Sequence, residues 1–237
     1  MKKIDKIIFD RLSRKEQIKL VLQPKGGQEY KEKRELIQKI KEAFGEGCIE
    51  RDYTKYSFRA PNLIILNKGD IKLILYFHYS EEIGFYGFDK NIITEIIDWV
   101  NKNNPEKVFF NLLFMLGIPD EETVYFCIPI FFIKNIESDI SVTKDKGTIG
   151  PGYRINLELI KNRYYLKLKK GRYEDISDFK IEISELFNQT LITRYNEEKI
   201  RYENIVRDKQ ELLKKFSRDQ LFRIWKLAWL VNLIVGK

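Results

Sequence analysis

Histidine and cysteine are nearly missing from this chain of 237 residues, which has one of the first, His78, and two of the second, Cys48 and Cys127. A structural zinc site of four Cys and His ligands is thereby excluded. Any nucleophile–histidine pair would have to use His78. Two cysteines build no disulfide framework, so a reducing, cytoplasmic setting is expected. Long apolar runs are also missing. The longest, Ile224–Val235, is interrupted by Lys226 and Asn232 and falls short of the roughly 18–20 residues that span a bilayer. Met1–Phe9 alternates Lys and Ile without an apolar core or a small-residue cleavage site, so neither a signal peptide nor membrane association is expected. Gly147–Gly152 lacks the Lys-Ser ending of a phosphate-binding loop. No internal repeat or low-complexity segment is present.

Hydrophobic residues make up 43% of the chain and charged ones 33%, which permits a packed core and excludes global disorder. The length suits one large domain or a domain with a small appendage. The net charge of +8 is unevenly placed: residues 1–152 hold 24 basic and 23 acidic side chains, and residues 153–237 hold 19 and 12. A localised positive field suits an anionic partner, most often nucleic acid, although lysine also serves solubility.

Pro24-Lys25-Gly26-Gly27 breaks the chain after one or two short helical pieces. Tyr30, Leu36, Ile37, Ile40 and Phe44 predict an amphipathic helix over 28–44, ended by Gly45 and Gly47. Three strands are expected next, at Cys48–Tyr53, at Ser57–Leu66 after Pro61, and at Ile71–Tyr79, the last two joined by a turn at Asn67-Lys68-Gly69-Asp70. Gly84-Phe85-Tyr86-Gly87-Phe88 reads as a loop. Its rings would either stack on bases or pack beneath the sheet, the commoner fate of apolar aromatics. A helix at Lys90–Asn101 follows, then two apolar runs, Val108–Leu116 and Thr123–Ile133, that read as central strands. After a polar loop at 135–152 come strands Arg154–Leu159 and Tyr164–Lys169, and a charged helix at Glu197–Phe216. Ser217 with Gln220 is a capping box opening a last, apolar helix. The expected fold is α/β, a mixed central sheet flanked by helices with a helical carboxyl-terminal region. Its parts are a core at 1–160 with amino-terminal helices, and at 161–237 a basic strand and carboxyl-terminal helices packed on that core.

Helix, three strands, helix, strand, strand over Gln28–Ile133 resembles the core of the PD-(D/E)XK superfamily, the fold of many restriction endonucleases. The matching stretches are Arg59-Ala60-Pro61-Asn62-Leu63-Ile64-Ile65, Asn67-Lys68-Gly69-Asp70 and Leu75-Tyr76-Phe77-His78. The resemblance implies a restriction-type DNA endonuclease whose carboxylates hold Mg²⁺ and activate water for phosphodiester hydrolysis. The chemistry departs at three positions. Asn62 stands for the family's Asp, Tyr76 for its Asp or Glu, and His78 for its Lys. Strand alternation puts Tyr76 and His78 on one face, Leu75 and Phe77 on the other. A hard divalent ion prefers anionic oxygen, so Glu35, Glu50 or Asp52 would have to supply it, with Asp52 and Glu50 as the metal ligands. His78, a lone histidine at the end of an apolar strand, is either a structural hydrogen-bonding residue or an acid–base group, the only side chain here that ordinarily titrates between about pH 5 and 8.

Between Lys161 and Arg172, the cations Lys161, Arg163, Lys167, Lys169, Lys170 and Arg172 accompany Tyr164, Tyr165 and Tyr173. Cations neutralise phosphates and aromatics stack on bases; an edge strand guarded by lysines has the same composition. As a strand it would show a cationic outer face over an apolar inner one. Three readings follow: an endonuclease with an atypical site, DNA being a better partner than RNA; a non-catalytic nucleic-acid-binding or assembly subunit on a decayed nuclease core; and a protein-interaction module, with a homodimer through Ile224–Val235.

Overall fold

The computed structural model describes residues 28–58, 60–80, 83–103, 106–117, 122–143, 151–215, 220 and 222–223. Helix α1 (Gln28–Phe44) buries Leu36 and Ile40, four residues apart, and stops where Gly45 turns to φ 82°, its N–H bonded to the Lys41 carbonyl at 2.8 Å. The expected first strand does not form. Cys48 ends a single 3-10 turn, Ile49 makes one antiparallel bridge to Leu66, and Asp52 then caps another 3-10 turn at Tyr53–Lys55. Capping by Asp52 draws the chain out of the extended form that a longer strand requires.

Strands β1 (Leu63–Lys68) and β2 (Ile71–Ser80) form the expected antiparallel hairpin, with Gly69 at φ 61° in its tight turn. The chain then passes through β3 (Phe85–Asp89) and α2 (Lys90–Lys102) to β4 (Val108–Leu116), parallel to β2. Asp89 caps α2, accepting from the N–H groups of Asn91 and Ile92, and Ile93, Ile96 and Val100 bury its inner face. Every residue of β4 is buried. Strand β5 (Val124–Pro129) is antiparallel to β4 and is shorter than the apolar run suggested, because Ile130–Asn135 forms helix α3. Pro129 has no N–H for the ladder, and its φ of −54° suits the position before a helix.

The order of the first sheet is β1-β2-β4-β5-β10, with β10 at Lys180–Ile181. It is mixed, as expected, with helices packed on it. A second, antiparallel sheet has the order β3-β7-β8-β9, from β7 (Gly152–Ile160), β8 (Arg163–Lys167) and β9 (Tyr173–Asp175); the short β6 (Ser141–Thr143) also pairs with β7. The expected glycine-aromatic loop is thus strand β3. Tyr86 and Phe88 are buried and stack on Phe114 of the first sheet at 4.7 and 5.3 Å between ring centres, which bears out packing over base stacking. The division expected between residues 160 and 161 falls in the two-residue turn joining β7 to β8. Helix α4 (Gln189–Lys215) begins eight residues before its expected start. Its Tyr195 packs on Phe109 and Phe131. The segments before Gln28, and Ile224–Val235, where the sequence predicts a last helix, lie outside the described residues.

Candidate functional site

The Pro61-Asn62 segment and β2 lie side by side. Asn62 extends the β1–β2 ladder by one residue: its carbonyl accepts the Phe77 N–H and its side-chain amide donates to the Phe77 carbonyl, both at 2.9 Å. The Lys33 ammonium of α1 donates to the Pro61 carbonyl and sits 5.5 Å from the centre of the Phe77 ring. Phe77 therefore looks toward α1.

Tyr76 and His78 share the other face of β2, as alternation requires. The Tyr76 hydroxyl accepts the Asp89 N–H at 3.3 Å and its ring meets Phe88 edge-on at 5.2 Å. The His78 ring lies 5.6 Å from Tyr86 and 5.9 Å from Phe88. Both side chains sit between the two sheets, so the neighbour that Asn62 engages is Phe77.

Glu50 and Asp52 gather elsewhere. The Glu50 N–H bonds the Ile65 carbonyl, and its carboxylate stands by the far end of β1 from Asn62. One carboxylate oxygen accepts from the Tyr56 hydroxyl at 3.2 Å and the Asn67 amide at 3.4 Å, with the Lys72 ammonium at 3.6 Å; the other accepts the Asp52 N–H at 3.1 Å. Burial, reinforced by the Glu50 charge, pushes the Tyr56 phenol well up. Burial likewise brings Tyr53 to about 12. Asp52 accepts the Thr54 N–H at 2.9 Å as a cap. Glu35 is exposed on α1, 3.7 Å from Lys31. Among the described residues no three His, Cys, Asp or Glu side chains meet as a metal-binding group. Asn62 offers a neutral carbonyl, Tyr76 a buried phenol, and Glu50 a carboxylate already beside an ammonium. This donor set does not fit the Mg²⁺ that the resemblance implies.

The basic stretch divides as its alternation predicts. Tyr164 meets Phe126 of the first sheet at 4.8 Å and Leu166 is fully buried, while Tyr165 and Tyr173 pair edge-on at 6.3 Å. Much of its charge is matched. Arg163 pairs with Asp175, Lys167 with Glu158 and Arg172 with Asp139, at 2.6 to 2.8 Å. Lys169 donates to the Ser138 carbonyl at 3.0 Å. Lys161 and Lys170, at φ 49° and 60°, are exposed at the turns on either side of β8 and make no ion pair among the described residues.

One polar cluster escaped the sequence reading. Glu137 receives Lys90 and Lys134, each at 2.7 Å, and the Tyr153 hydroxyl at 2.6 Å. Burial alone would raise its carboxyl, but the hydrogen bonds from Lys134, Lys90 and Tyr153 outweigh it and bring the pKa to about 2. Hydrogen bonding to Glu137 adds to burial in raising Tyr153. These residues come from α2, α3, the following 3-10 turn and β7, so no local spacing announces them.

No family model matches the chain, and no curated protein matches it in sequence. Among solved structures it is similar to Hjc, a Holliday junction resolvase from the archaeal hyperthermophile Archaeoglobus fulgidus, with a TM-score of 0.35 and 10% identity over 65% of this chain and 99% of that one.

Proposed function

We propose that this chain is a nucleic-acid-binding protein, of DNA before RNA, on a nuclease-like core that does not itself cut phosphodiester bonds. The observation that carries the reading is the outer face of β8. Tyr165 and Tyr173 form an edge-on pair there, and Lys161 and Lys170, whose ammonium groups make no ion pair among the described residues, stand at its two ends. Aromatic faces accept unstacked bases, and flanking cations neutralise phosphates. The charge excess of residues 153–237 acts in the same direction.

The endonuclease reading rests on Glu50 and Asp52, which a backbone hydrogen bond holds together. Lys72 already answers the Glu50 charge, and a bound cation would have to compete with it, so the binding reading stands first. The test is binding of labelled duplex, single-stranded DNA and RNA across a salt series. Affinity for DNA that falls steeply with salt supports the proposal; no binding at low salt refutes it.

A further inference from the structure

The outer face of the second sheet holds a carboxylate among its cations. Glu158 of β7 stands directly across from Tyr165 of β8, and Asn156 across from Lys167. Side chains so opposed begin about 4.5–5.5 Å apart, which makes Glu158 and Tyr165 neighbours on that face. One Glu158 oxygen accepts from the Lys167 ammonium at 2.6 Å. That bond first, and then one from the Tyr173 hydroxyl, hold the Glu158 carboxyl below its ordinary range, so it is ionised at neutral pH. Tyr173 is in turn edge-on to Tyr165. One carboxylate thus joins both rings and a lysine of the face proposed to bind nucleic acid.

These groups border an open concavity of about 670 Å³, a size usual for ligand sites. Ile83 and Leu159, 41% and 43% exposed, give it apolar wall, while Asn156, Glu158 and Lys167 give it polar groups. A carboxylate repels phosphate. On a face that receives a nucleic-acid backbone, its favourable partners are the N–H groups of bases. An ionised carboxylate has about four lone-pair sites, of which Lys167 and Tyr173 take two. The ammonium has three donors and gives one to Glu158. The pair can therefore engage a base without parting.

We propose that Glu158 and Lys167 read the pairing edge of an unstacked guanine, an inference that rests on the nucleic-acid-binding reading above and adds base selection to it. Guanine offers side by side its O6 acceptor, its N1 hydrogen and an N2 hydrogen. The two hydrogens fill the remaining carboxylate sites as a charge-assisted bidentate pair, and O6 accepts from Lys167. Adenine, cytosine and thymine each bring one donor on that edge, so each makes one such bond where guanine makes two. Pairing occupies the same edge in a duplex, so the selection acts on unpaired bases.

The test measures binding of the full chain to labelled oligo(dT) strands of about 12 residues in which every third residue is dG, dI, dA or dC. Lithium buffer suppresses four-stranded guanine structures, and dI differs from dG only in lacking the N2 amino group. The dG strand is expected to bind about tenfold tighter than the other three, the low end of what a bidentate base contact discriminates. Glu158→Gln is expected to level the four affinities while binding persists. Equal affinities in the unaltered chain, or a dG preference that survives Glu158→Gln, would overturn the inference and leave the nucleic-acid-binding reading standing. Failure to bind any strand at low salt would refute that reading and this inference with it.

Discussion

Asn62 and Phe77 are joined by two hydrogen bonds of 2.9 Å, one through the backbone of Asn62 and one through its amide. An aspartate would have no N–H for the second bond. The asparagine at the head of β1 therefore closes a strand pair. Asn62→Ala is expected to lower stability by about 1–2 kcal/mol, the cost of a lost bond and a carbonyl left under-satisfied, with DNA affinity unchanged. Urea denaturation and a binding titration check the two parts.

Asn111 sits in the middle of β4, fully buried, with neither atom of its amide bonded to protein among the described residues. Its neighbours across the sheet are Leu75 and Pro129. A buried amide without partners costs free energy that an apolar side chain of similar size does not. Asn111→Leu is expected to raise stability by about 1–2 kcal/mol, read as a higher urea midpoint at unchanged slope.

Glu137 has a folded pKa of about 2 against an ordinary 4.5. A depressed folded value means the unfolded chain takes up the proton first as pH falls. The stabilisation is therefore present above 4.5 and is lost as the pH drops from there toward 2, on the order of 2–3 kcal/mol in all. Glu137→Gln is expected to lower stability at neutral pH and to flatten the acid limb of the stability–pH curve. An acid limb that stays as steep in the variant would contradict this role.

Lys161 and Lys170 carry the binding reading because their charges are not matched within the described residues, unlike those of Arg163, Lys167 and Arg172. Lys161→Glu with Lys170→Glu is expected to weaken DNA binding uniformly across sequences and to reduce the salt slope by about 2. Tyr165→Ala is expected to cost about 1–3 kcal/mol with single strands and little with duplex.

Strong periodicity made much of the fold legible. The run Val108–Leu116 and the helix at 28–44 form at the residues that their apolar spacing marked. Errors arose where one residue overrode a pattern. Pro129 turned an apparent strand into a helix, and Asp52 replaced a strand with a capped turn. Alternation correctly put Tyr76 and His78 on one face, but it could not tell which face Asn62 would join. The ion pairs that quiet the basic strand also stayed hidden, because Asp139 and Arg172 lie 33 residues apart and meet only in the fold.

The most direct test of the account is one incubation: purified chain with supercoiled and single-stranded DNA, with Mg²⁺ and with chelator, each read for binding and for strand breaks. The account predicts salt-sensitive binding in both and breaks in neither. Breaks that require Mg²⁺ and vanish in Asp52→Asn would contradict it and restore a working nuclease centre at Glu50 and Asp52.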